Sequence, residues 1–202
     1  MDNIEKNQPL GRISFFGPLD LYLFNEGNHF EIYKKLGAHK RVINGIEGYN
    51  FAVWAPNAVK VNVKGNFNNW DGSKHQMVEL GSSGIWEIFI PEVKEYCPYK
   101  FEIYTKNNNI LLKSDPYGSF FELRPGNASL TYQSHYKFEY PKIQPSNIYK
   151  QPMAIYEMHL GSWKKRKDGF FLNYREIAEI LVPYLKETGF NWVEFMPISE
   201  HP

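Results

Sequence analysis

Apolar and polar positions alternate with a period of two through Gly48–Gly72, and the reading of the chain is built outward from that stretch. Phe51, Val53 and Ala55 alternate with Asn50, Ala52 and Trp54; Val59, Val61 and Val63 alternate with Lys60, Asn62 and Lys64. A period of two places one set of side chains on a buried face and the other on an outer face, so both runs are predicted to be strands. Ala55-Pro56-Asn57 supplies the turn between them. Gly65 ends the second strand, and Asn66 to Asp71 read as a polar loop carrying Trp70. Further short runs follow. His75–Leu80 reads as a short strand and Gly81–Gly84 as a turn. Ile85–Ile90 alternates again and is closed by Pro91, and Tyr99–Thr105 alternates with Lys100, Glu102 and Tyr104 on one side. Asn107–Asn109 reads as a hairpin turn, with Ile110–Lys113 beyond it. Closely spaced short strands separated by turn residues, from Gly45 to about Ser134, predict an antiparallel β-sandwich of immunoglobulin-like size.

The flanking segments carry other periods. Residues 1 to about 25 form a lead-in whose Leu19, Leu21, Leu23 and Phe24 can dock on a neighbouring surface. Phe30, Tyr33 and Leu36 fall at helical spacing, with Gly37 as a stop. After a Pro-punctuated linker at 136–150, Met153–Met158 is a short apolar strand. Asn173 is a helix N-cap with Glu176 as its capping-box partner. Ile177, Ile180, Leu181, Tyr184 and Leu185 then give the helix an apolar face, with Pro183 expected to kink or break it and Gly189 to stop it. Asn191–Ile198 is a second strand. Strand, helix and strand in this length predict a βαβ unit with parallel strands buried on both faces. The expected division is therefore a lead-in at 1–40, a β-sandwich at 41–135, a linker at 136–150 and an opening β-α-β at 151–202. The fold class is mainly β.

Composition narrows the function. A hydrophobic content of 43% over 202 residues supports a real core, and the net charge of +1 gives no electrostatic reason to expect nucleic acid or an anionic membrane. The single cysteine, Cys97, excludes an intrachain disulfide and a cysteine metal cluster. No signal sequence and no apolar run long enough for a bilayer is visible, so a cytoplasmic protein is expected. Aromatic residues, at 17%, are abundant. Trp70 lies among Asn66, Asn68, Asn69 and Asp71, and a flat ring surrounded by short amides suits a sugar: the ring covers the C–H face and the amides bond hydroxyls. Packing of Trp70 against a neighbouring domain is the alternative. His39, beside Lys40 and Arg41, reads as a packing or surface residue. In a β/α barrel, residues just past a strand build the active site, which draws attention to His159, Trp163, Glu200 and His201.

Two resemblances are carried by these motifs. GNFNNW, GIWEIFIP, YKFEI and KSDPYG, in that order, resemble the glycogen- and starch-binding module found ahead of the catalytic barrel in branching and debranching enzymes. The resemblance implies glucan contacts at Trp70 and Lys100; Asn68, among the short amides of the loop, is a further candidate contact. The second tryptophan usual in such modules has no counterpart in the hairpin Lys106–Ile110. From about Asp20 to Pro202, DLYLFNEGNHFEIYKKLGAH, YEMHLGSW and YREIAEILVPYLKETGFNWVEFMPISEHP resemble the N-terminal portion of bacterial 1,4-α-glucan (glycogen) branching enzymes. LGAH and SEHP favour these over isoamylase-type relatives. That family implies a (β/α)8 barrel of the α-amylase superfamily, here only begun. It also implies a retaining mechanism with an aspartate nucleophile and a glutamate acid/base, in which a glucan 6-hydroxyl accepts the transferred chain. No metal or organic cofactor is implied. No residue in the sequence matches those carboxylates; Glu157, Glu194 and Glu200 lie nearest the barrel strands and are assigned salt-bridging or packing roles. Branching activity is therefore not expected of this chain alone. An interrupted reading frame, or a separate chain completing the barrel, would each account for where the resemblance stops. The alternative function is a non-catalytic glucan-binding protein.

Overall fold

The computed structural model describes residues 14–139 and 150–198, and the chain separates into two compact units between Lys137 and Phe138. The first unit is built from strands β1 (Gly37–Ile43), β2 (Ile46–Trp54), β3 (Ala58–Gly65), β4 (Val78–Glu79), β5 (Ile85–Pro91), β6 (Pro98–Thr105), β7 (Ile110–Lys113) and β8 (Ser129–Leu130). They form two antiparallel sheets, one ordered β1-β2-β5-β4 and the other β3-β6-β7 with β8 also on β6. Tyr49, Phe51 and Val53 of β2, with Trp86 and Ile90 of β5, meet Val61 and Val63 of β3 and Tyr99 and Phe101 of β6 in the main core. Each such side chain contributes about 1.5–3 kcal/mol when fully buried, which is why the alternating residues choose this face. This mainly-β sandwich is the fold class expected from the alternation.

Three expectations about this unit change. The second face of β2 is not an outer face: Ala52 and Ile85 are buried in a second cluster with Phe16 and Leu36, supported by Leu21 and Phe24. The lead-in therefore covers the back of the β1-β2-β5-β4 sheet. Beneath it, buried Glu87 accepts hydrogen bonds from Asn50 Nδ2 (2.9 Å) and Phe15 N (3.0 Å). The helix expected around Phe30–Leu36 is a single 3₁₀ turn at Ile32–Lys34; Phe30 and Tyr33 are largely exposed there and supply no buried helical face. A helix lies instead at α1 (Pro18–Asn25). Proline suits its first position, and Asp20 accepts from Gly17 N at 2.7 Å, satisfying an N-terminal donor. Lastly, His75–Leu80 is not one strand. Gln76 bridges to Asn62 in one sheet, whereas Val78 and Glu79 pair with β5 in the other, with Met77 buried between them.

The second unit contains β9 (Ile155–Met158), the short α2 (Leu160–Trp163), α3 (Tyr174–Thr188) and β10 (Trp192–Phe195). β9 and β10 are parallel, with Trp192 opposite Ile155 and Phe195 opposite Met158. Asn173 Oδ1 accepts from Arg175 N and Glu176 N, each at 3.0 Å, and Glu176 Oε2 accepts from Asn173 N at 2.8 Å. This is the capping box read from the sequence. Gly189 ends α3 at φ 80°. Pro183 does not break the helix, which is continuous across it. Met158, Ile177 and Leu181 form the local core. The strands are not buried on both faces as expected: Ile155, Trp192, Val193 and Phe195 are exposed, because within this unit α3 covers only one side.

Candidate functional site

The loop after β3 is built to hold an indole in place. Residues 66–68 make a 3₁₀ turn, and Asn69 and Trp70 follow with left-handed φ of 55° and 59°. Asparagine tolerates that region, but a bulky side chain pays a strain of order 1–3 kcal/mol there and persists only where surrounding bonds fix it. Here Trp70 N donates to Gly65 O at 2.9 Å, and Trp70 Nε1 donates to Asn66 Oδ1 at 2.8 Å. The ring is left half-buried.

Asn68 is buried beneath the loop. Its Oδ1 accepts from Gly65 N (3.0 Å), and its Nδ2 donates to Val63 O (2.9 Å) and lies 3.0 Å from His75 Nδ1. Its amide is thus committed within the chain, and the structure gives it the work of shaping the loop. For Nδ2 to donate, His75 Nδ1 must be unprotonated. Burial, with Lys74 nearby, holds the His75 pKa below the ordinary imidazole value.

The loop packs onto the outer face of the β3–β6 pair. A Cβ at Gly72 would fall 2.6 Å from Glu102 Oε2 and 2.9 Å from Lys64 Cγ, so only glycine allows this approach. Lys60, Asn62 and Lys64 of β3 stand directly opposite Tyr104, Glu102 and Lys100 of β6. Glu102 accepts from Asn62 Nδ2 (2.9 Å), Lys64 Nζ (2.9 Å) and Tyr104 OH (3.1 Å). Burial raises its pKa, but these bonds outweigh burial and hold the carboxyl below its usual range. Lys60 Nζ lies 4.9 Å from the Tyr104 ring centroid. Lys100 bonds Asn127 Oδ1. Trp70 is bonded to Gly65, the residue opposite Tyr99, so Trp70 and Lys100 lie at the same end of the β3–β6 pair. Asn127 was not legible in the sequence, because its pairing with Lys100 depends on a contact across 27 positions.

In the second unit His159 Nδ1 accepts from Ser162 N (3.1 Å) and bonds Ser162 Oγ (2.9 Å), capping α2. Trp163 Nε1 donates to Tyr156 OH at 3.0 Å. Glu157 and Glu194 are in register on adjacent strands and both exposed. Glu200 and His201 lie outside the described residues. His39 bonds Leu36 O at 2.9 Å, and burial depresses its pKa, as befits a packing residue. Among the described residues, no group of three His, Cys, Asp or Glu side chains is placed to hold a metal ion, and no helix is long and apolar enough to cross a membrane.

The Trp70 indole and Lys100 thus lie at one end of the β3–β6 pair in a small antiparallel sandwich. Residues 35–118 match the family model for carbohydrate-binding module 48, the isoamylase N-terminal domain. The chain as a whole matches the N-terminal portion of 1,4-α-glucan branching enzymes. It is 44% identical over 216 residues to the 1,4-alpha-glucan branching enzyme GlgB of a Synechococcus strain, covering 96% of this chain and 28% of that protein. It is 46% identical over 188 residues to the GlgB of Bacillus subtilis, covering 91% of this chain and 30% of that one. The chain thus spans under a third of the length of these relatives. Among solved structures, a type I pullulanase from Bacillus subtilis complexed with maltose superposes with a TM-score of 0.54 at 21% identity, over 83% of this chain and 24% of that one. A pullulanase from Anoxybacillus complexed with maltotriose gives 0.56 at 20%, covering 83% and 25%. These structures share the fold.

Proposed function

We propose that this chain is the glucan-engaging N-terminal part of a 1,4-α-glucan branching enzyme. Its sandwich, spanning about residues 41–135, would hold α-1,4-linked glucan on the outer face of β3 and β6. Trp70 stacks on a sugar ring, Lys100 bonds hydroxyls beside it, and Asn68 keeps the loop in shape from below. The observation that carries this reading is the fixed, half-buried Trp70 at the same end of the β3–β6 pair as Lys100, within a segment that matches carbohydrate-binding module 48. A ring pre-positioned by Asn66 and the Gly65 carbonyl loses little freedom on binding, which favours affinity. The maltose and maltotriose in the two pullulanase structures support the same class of ligand. In the whole enzyme, such a face would hold a glucan chain, and the β9-α3-β10 unit would open the catalytic barrel. Transfer of an α-1,4 segment to a 6-hydroxyl would be the reaction served.

Retention on amylose resin tests the site. Trp70→Ala should lower retention by about tenfold, the loss of one aromatic–sugar contact of roughly 1.4 kcal/mol. Unchanged retention by a folded Trp70→Ala protein removes Trp70 from the site.

A further inference from the structure

The opposite end of the sandwich carries a cleft of about 500 Å³, lined by Trp54, Pro56, Asn57, Thr105, Lys106 and Asn107. It lies between the β2–β3 turn and the β6–β7 hairpin. Its volume falls within the ~300–1,000 Å³ range of small-ligand sites. β3 spans the distance between the two ends, and at about 3.3 Å per residue this cleft lies roughly 23 Å from the Trp70 loop.

Two features distinguish this cleft. Trp54 is 53% exposed, yet its ring is held edge-on against Phe24 at 5.8 Å, so a large apolar face is presented to solvent in a fixed orientation. Around it, the side chains of Asn57, Lys106 and Asn107 are exposed and have no hydrogen-bond or ion-pair partner among the described residues. At the Trp70 end the situation is reversed: Trp70 Nε1, Lys100 Nζ and the Asn68 amide are already bonded within the chain. A positioned ring flanked by unspent amides and an ammonium group matches a neutral polyhydroxylated ligand with an apolar C–H face. Lys106 alone, with no arginine and no phosphate-cradling backbone in the cleft, does not make an anion site.

We propose that this cleft is a second α-glucan subsite, with Trp54 as the stacking platform and Asn57, Lys106 and Asn107 as hydroxyl partners. The identity of the sugar rests on the α-glucan reading above; the cleft itself does not depend on Trp70. A glucan chain long enough to reach both sites gains from linkage, since the second contact becomes intramolecular.

The test is calorimetric titration of the full chain with maltoheptaose, using the wild type, Trp70→Ala, the surface double variant Lys106→Ala/Asn107→Ala and the combination. Indole N–H resonances are followed in parallel. Substitution on the exposed hairpin avoids disturbing the Trp54–Phe24 packing, and thermal melting confirms the fold. The hairpin variant should weaken binding about fivefold to tenfold, the loss of two sugar hydrogen bonds. The combination should lose more than either alone, and the Trp54 indole signal should shift in Trp70→Ala. The subsite is refuted if the hairpin substitutions change binding in neither background and the Trp54 signal stays still, while loss in Trp70→Ala alone would leave the first face standing. Loss in the hairpin variant with none in Trp70→Ala would instead overturn the first face and keep the cleft.

Discussion

Trp70 and His75 are linked through Asn68, and this coupling sets a pH dependence at the scale of single residues. Asn68 Nδ2 lies 3.0 Å from His75 Nδ1, and the ring is flanked by Phe67 at 5.5 Å between centroids. His75 binds a proton less tightly in the folded chain than in the unfolded one. Its contribution to stability is therefore present above the ordinary imidazole pKa, about 6.5, and is lost as pH falls below it. Protonation would set two donors facing each other and loosen the turn that carries Trp70. Maltoheptaose affinity should accordingly hold level above the ordinary imidazole pKa of about 6.5 and fall as pH is lowered beneath it, and His75→Gln, whose side-chain oxygen can accept from Asn68 at any pH, should flatten the profile. Identical profiles for the two proteins would detach the loop from His75. The amide-rich run around Trp70 announced sugar chemistry in the sequence, but not the division of labour. Asn66 and Asn68 are equivalent as letters, whereas burial turns one into an internal brace and leaves the other to hold the indole.

At the scale of elements, the strands were readable wherever alternation coincided with burial. Val61/Val63 and Phe51/Val53 are the clearest cases, because each must leave water and only one face allows it. The lead-in was not readable in the same way. α1 has only eight residues and mixes apolar with polar positions, so no periodicity marks it. Its packing partners, Ala52 and Ile85, lie far along the chain. Another long-range tie joins β6 to the segment after β7: Tyr99 OH donates to Asp115 Oδ2 at 2.6 Å, and Asp115 Oδ1 accepts from Tyr117 N at 2.8 Å. Burial pushes the Asp115 carboxyl up to about 6 from 3.8, against the lowering by those bonds, and pushes the Tyr99 hydroxyl upward too. The folded chain then holds the Asp115 proton more tightly than the unfolded chain does. This site therefore stabilises most below about pH 4, and its contribution declines as pH rises to about 6, by an amount on the order of 2–3 kcal/mol. Asp115→Asn keeps an acceptor for Tyr99 and removes the titration. Denaturant unfolding at pH 4 and pH 7 should find the variant gaining on the wild type as pH rises. An equal difference at both values would show that Asp115 does not titrate in this window.

At the scale of the whole molecule, the two units differ in how far each satisfies itself. The sandwich closes a core from both sheets and seals its second face with Phe16 and Leu36, while the β9-α3-β10 unit gathers only Met158, Ile177 and Leu181 and leaves Ile155, Trp192, Val193 and Phe195 exposed. A βαβ pattern was legible because its cap, helix face and strands are local. That one helix leaves a face of the strands open was legible only as arithmetic, since parallel strands ordinarily have helices on both sides. Local stability follows buried apolar contact, so the two units should open at different free energies. Limited digestion with thermolysin, which cuts beside apolar residues, should cleave within 153–198 first and leave a resistant product containing Phe16 to Thr131. Mass spectrometry of the time course identifies the order. A product in which the segment bearing Trp192 and Phe195 outlasts the sandwich would mean that this unit is stable through contacts other than those within it, and that the exposed strands are not its weak point.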